Sequence, residues 1–191
     1  LQHPPETDFF VPTGVQYAME TYRNGFLVTD GHHNRVLEVT LERHAGIESG
    51  RISEFRVFDN IVPTGLAISG HTVYMAEAGP VPHLPQNGKI VSFGPASAGV
   101  TEVAVGARLA VDVEFGRGRT LFGLSQGTFP VGNPEGSPAL PNTGALMRAN
   151  DDGTFSAVVE GLDRPTSMEI IGTIPEGALD VATAMAMTNR A

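Results

Sequence analysis

VPTGVQYAM (Val11–Met19) and VPTGLAIS (Val62–Ser69) open with the same four residues, and two looser versions of the phrase follow. LAVDVEFG begins at Leu109 and RPTSMEII at Arg164. Counted at Gly14, Gly65, Asp112 and Ser167, the restarts are 51, 47 and 55 residues apart. A strand-rich unit returning at that period is the signature of β-propeller blades.

Each unit reads as four strands. The first holds TGVQYAM, GFLVTDG, RVLEVTL and RISEFRVF; the second TGLAIS, TVYMAEA, KIVSFG and VTEVAVG; the third VDVEFG, TLFGLSQ, ALMRAN and TFSAVVEG. Apolar and β-branched residues alternate with polar ones, the period of a pleated strand. Clusters of Gly, Asn and Asp, such as NDDGT at Asn150–Thr154, separate them as turns. The expected fold is all-β: a β-propeller of four-stranded antiparallel blades, three full blades and the start of a fourth. The boundaries fall at 1–10 (an N-terminal extension), 11–60, 61–109, 110–163 and 164–191 (a partial blade and an atypical tail). The tail TIPEGALDVATAMAMTNRA, from Thr173, alternates like a strand and is alanine-rich like a helix, and the two readings stay open. The expected packing residues are Val15, Leu27, Val28, Val36, Leu66, Ile68, Tyr74, Val91, Val113, Phe115, Leu121 and Leu146.

Composition narrows the partners. The chain has 191 residues and a formal net charge of −9, which disfavours non-specific contact with nucleic acid or an anionic membrane. It has no Cys, hence no disulfide and no thiol chemistry, and no apolar run long enough for a membrane span. LQHPPETDFF, at the N-terminus, has no signal-peptide pattern.

LVTDGHHNRVLEV (Leu27–Val39) resembles the NHL repeat, in which a strand ends in Asp-Gly before a polar turn and Asn-Arg-Val. With VPTGLAISGHTVYMAEAGP and VDVEFGRG, it also makes Val11–Gly172 similar to the bacterial ScyD/ScyE family of propellers. That resemblance implies the later blades of an exported, secreted or periplasmic propeller. The wider six-bladed group to which it points includes calcium-dependent lactonase-like hydrolases and NHL modules that only bind partners.

Propeller topology places the second-to-third-strand loops, Gly31–Asn34, Gly79–Gly88 and Gly127–Gly144, on the same face as the starts of the inner strands. Loops on a rigid scaffold are where binding residues concentrate. Asp30, Glu77 and Ser125 fall at equivalent positions of the second strand. Asp30, Glu77 and Asp112 therefore form a candidate oxygen-rich set for Ca²⁺ or another divalent cation; no organic cofactor is implied. His32, His33 and His83 are candidate general bases on the same face. Thr13, Thr64, Ser125, Gln126 and Asn142 are candidate substrate contacts. Each has a plainer reading: an Asp before Gly at a strand end commonly caps its own turn, and loop histidines are commonly exposed. A serine triad lacks its G-x-S-x-G elbow, and FGRGRT (Phe115–Thr120) reads as a hairpin turn, not a phosphate loop. Two functions remain: a metal-assisted hydrolase of lactonase or esterase type acting on a small molecule, and a non-catalytic ligand-binding or assembly module. Three blades leave open ends, so self-association as a homodimer completing the propeller is expected, with the TSMEIIG strand either adding to a partner or capping its own last blade.

Overall fold

The computed structural model describes residues 14–44, 47–95, 99–134 and 137–171. The N-terminal extension, Thr13 and the tail from Thr173 lie outside them. Among the described residues the chain is all-β, in three four-stranded antiparallel sheets, each built from four consecutive strands. The first contains β1 (Gln16–Tyr22), β2 (Gly25–Asp30), β3 (Arg35–His44) and β4 (Ile47–Val57). The second contains β5 (Pro63–Ser69), β6 (Thr72–Glu77), β7 (Lys89–Phe93) and β8 (Thr101–Val105). The third contains β9 (Ala110–Phe115), β10 (Leu121–Ser125), β11 (Gly144–Ala149) and β12 (Phe155–Leu162). Two three-residue 3₁₀ turns, Pro85–Asn87 and Arg117–Arg119, interrupt the loops.

Period-two alternation gives every sheet two faces, and most strands are apolar on both because two neighbours must be covered. One face of the second sheet, carrying Leu66, Val73, Met75, Val91 and Phe93, packs on Tyr22, Leu27 and Val36 of the first. Aromatic edges lock this layer: Tyr22 meets Phe55 at 5.5 Å and Phe58 meets Phe93 at 5.4 Å, both near perpendicular. The other face, with Ala67, Ala76 and Ile90, packs on Ala110, Val113 and Leu121 of the third sheet. Of the expected packing residues, Leu27, Val36, Leu66, Val91, Val113 and Leu121 are buried, and Val28, Ile68, Tyr74, Phe115 and Leu146 are half-buried. Val15 is the exception, exposed because the first sheet has no described neighbour on that side.

Hydroxyl ties join the inner strands of successive sheets. Thr29 Oγ1 accepts from Ala18 N–H at 2.9 Å and donates to the Thr64 carbonyl at 2.7 Å. Thr64 Oγ1 in turn lies 3.0 Å from the Ala76 carbonyl and 2.9 Å from that of Ala110 in the next sheet. The repeat also shows in the backbone. Val62, Leu109 and Arg164 each precede an inner strand or its counterpart, with φ of +52°, +47° and +50°. A β-branched residue is strained there. Asn34 pins the first of these turns: its Oδ1 accepts from Ile61 N–H at 3.0 Å and Val62 N–H at 2.8 Å.

Residues 164–171, the opening of the fourth unit, cap the chain's own third sheet, the second of the two places expected for that strand. Met168 N–H donates to Asp112 Oδ2 at 2.7 Å. Ile170 sits over Gly116 beside Phe122. Tyr17 O–H reaches from β1 to the Thr166 carbonyl at 3.4 Å.

Candidate functional site

The inner strands converge on a cleft of about 210 Å³ lined by β1 (Tyr17–Glu20), Leu66 of β5, Asp112 and Glu114 of β9, and Thr166 and Ser167. Ordinary small-molecule sites run to roughly 300–1,000 Å³, so the cleft is small. It is also acidic. Glu114 is pushed up to about 7, first by burial and then by Asp112, Glu169 and Glu20. Asp112 is pushed up to about 6 by burial, against the downward pull of its bonds from Met168 and Val113 N–H. Glu20 is raised by burial, and Tyr17 is raised to about 12 by burial and by Asp112. The sequence reading found Asp112 and missed Glu20, Glu114 and Glu169. The available signal was Glu114, two residues beyond Asp112 and therefore on the same strand face.

The other expected site residues lie elsewhere. Asp30 is fully buried. Its Oδ1 accepts from Val15 N–H at 3.0 Å, and its Oδ2 from Arg35 Nε and Nη2, both at 2.9 Å. His33 Nδ1 lies 2.8 Å from the same oxygen and 3.0 Å from Arg35 Nη2. One ring nitrogen cannot both donate to the carboxylate and accept from the guanidinium, so the tautomer selects one of the two. Arg35 also meets Glu54 at 3.4 Å. His32 is half-buried and packs edge-on to His33 at 5.8 Å.

The second sheet repeats this group with other residues. Glu77 pairs across the ladder with Lys89 as Asp30 does with Arg35, and Lys89 forms an ion pair with Glu102 as Arg35 does with Glu54. Glu77 is pushed up to about 7 by burial, which outweighs the pull of Lys89. In the third sheet Ser125 opposes Ala145 and its hydroxyl donates to the Arg108 carbonyl. The register thus confirms the equivalence of Asp30, Glu77 and Ser125 and shows what the position does: it closes the end of the sheet. Glu54 and Glu102 were missed because a β-bulge in each outer ladder shifts them out of simple alternation.

His83 Nδ1 lies 2.7 Å from the Gly79 carbonyl, with its ring edge-on to buried Phe129 at 5.2 Å. Thr64 is buried in the inter-sheet tie. Gln126 Oε1 accepts from Ala139 N–H at 3.5 Å, and Asn142 is exposed at a turn with φ +56°. Among the described residues, no three His, Asp or Glu side chains are grouped to hold a metal ion. Asp30, Glu77 and Asp112 do not fit one shared divalent ion as arranged, since Asp30 is spent on Arg35, Glu77 faces Lys89, and Asp112 bonds two backbone N–H groups.

A pH dependence follows from the raised carboxyl groups. A folded-state value above the unfolded one means that stability is fully present below the unfolded value and lost as pH rises through the folded one. For Asp112 that window runs from the ordinary 3.8 to about 6, and for Glu77 and Glu114 from 4.5 to about 7. The midpoint of thermal unfolding should therefore fall as pH rises between these limits. Glu114→Gln should flatten the fall, and an unchanged slope in that variant would show that the cleft carboxylates do not cause it.

No protein-family model and no curated protein matches the chain. Among solved structures it is similar to a Bacteroides uniformis protein provisionally named a 6-phosphogluconolactonase, with 17% identity and a TM-score of 0.40. The match covers 72% of this chain and 38% of that one. A likeness this slight bears on neither the fold nor the chemistry of the chain. No helix among the described residues is long and apolar enough to cross a membrane.

Proposed function

We propose that the three sheets are successive blades of a β-propeller-type protein, and that this part of it is a binding and assembly scaffold without hydrolytic chemistry. The repeat period, the outward strand order of each sheet and the ties between inner strands support the propeller reading. One observation carries the functional reading: the side chains best suited to chemistry are spent on holding the fold. Asp30 and His33 share the Arg35 cluster, Ser125 closes on Arg108, and His83 on Gly79. A nucleophile or general base needs an uncommitted face toward a substrate. The cleft at the centre is acidic and smaller than a usual substrate pocket.

Hydrolysis assays test this. A lactone and an aryl ester, each with added Ca²⁺, Mn²⁺ or Zn²⁺, should turn over no faster than in buffer. Metal-dependent turnover that disappears in Glu77→Gln or Asp112→Asn would overturn the scaffold reading in favour of the metal-assisted hydrolase.

A further inference from the structure

We propose that the uncovered face of the first sheet is a two-fold contact, on which the same face of a second copy of this chain docks. Cross-strand partners point to the same side of a sheet, so the ladder defines the face. One row is Met19, Val28, Leu37 and Glu54, and the next is Thr21, Phe26, Val39 and Ile52. Leu41 lies two residues beyond Val39. The face is apolar across its centre, with charge only at the end where Glu54 meets Arg35.

The second sheet shows what such a face does when it is covered. Aligned on the Asp30–Arg35 and Glu77–Lys89 pairs, Val28, Leu37 and Val39 correspond to Met75, Val91 and Phe93. The latter three are 0–3% exposed under the first sheet. On the first sheet Met19 is 62%, Ile52 60% and Leu41 52% exposed. A contiguous apolar face of that extent is unusual on a monomer.

The choice of occupant follows from the other end of the molecule. Where one sheet covers another in this chain, this kind of face packs on the opposite face of its neighbour. The opposite face of the third sheet is already engaged by residues 164–171 through Met168 and Ile170. Head-to-tail stacking would need a partner's β1 in that same place. A two-fold arrangement, face to identical face, needs no such displacement and closes at two copies. A four-stranded face with its longer β3–β4 hairpin offers roughly 500 Å² per copy, about 1,000 Å² in all, which is the lower end for specific association. The contact should accordingly be of modest strength.

Light scattering across low to high micromolar concentration tests the proposal on the whole chain. The expected result is a shift from the 20.1 kDa formula mass to twice that value. Met19→Lys and Ile52→Lys should each hold the chain at one formula mass at every concentration, with an unchanged far-ultraviolet dichroism spectrum. Arg148→Glu, on an exposed position of the third sheet, should leave the dimer intact. A wild-type monomer at the highest concentration, a dimer that persists in both folded lysine variants, or a growing series of larger species would each overturn it.

Discussion

Asp30→Ala should be among the most destabilising substitutions in the chain, at about 3–5 kcal/mol of unfolding free energy. The carboxylate is fully buried, and it accepts from two guanidinium nitrogens and from the Val15 N–H that starts β1. Removing it leaves Arg35, whose side chain is 7% exposed, as a buried cation beside the half-exposed Glu54 alone. It also orphans the Val15 N–H. Most of the cost is the stranded charge, so Asp30→Ala/Arg35→Met should be more stable than Asp30→Ala. Urea unfolding decides this. A single-variant loss under about 1 kcal/mol would show that the cluster does not hold the sheet end closed.

Gly65→Ala should cost about 3 kcal/mol, the upper end for overpacking. A Cβ at that position would lie 2.5 Å from Asp112 Cα, 2.6 Å from Asp112 Oδ1 and 2.8 Å from Val113 N. Two of these three atoms are backbone, so the inner strands β5 and β9 would have to separate, and the Thr64–Ala110 tie would stretch with them. Gly99→Ala is the control: nothing lies within 4 Å of the point its added methyl would occupy, and the change should be neutral to within about 0.5 kcal/mol. Equal midpoints for the two variants in the same denaturant would refute the account of close approach.

The same pair of residues explains a departure within the repeated phrase. The third unit carries Asp112 where the second has Gly65. The aspartate occupies the space that the glycine leaves and caps residues 164–171 through Met168. From the sequence alone, an acid on an inner strand read as a metal ligand, because its acceptor needs were visible and their satisfaction was not. Asp30 and Ser125 read as site residues for the same reason.

What the sequence determined by itself was the set of strands and their grouping. Alternation and turn chemistry are local, acting over two to five residues, and the recurring phrase marked every restart. The expected segments accordingly coincide with β1 to β12 to within a few residues at their ends. Only the tertiary structure decided where the polar groups find their partners. The Asn34 clamp on Val62 spans 28 residues, the Thr64 tie to Ala110 46, and the Met168 bond to Asp112 56. Those distances arise from the stacking of whole sheets, and no local pattern encodes which carboxylate meets an arginine, which meets a backbone N–H, and which is left facing a cleft.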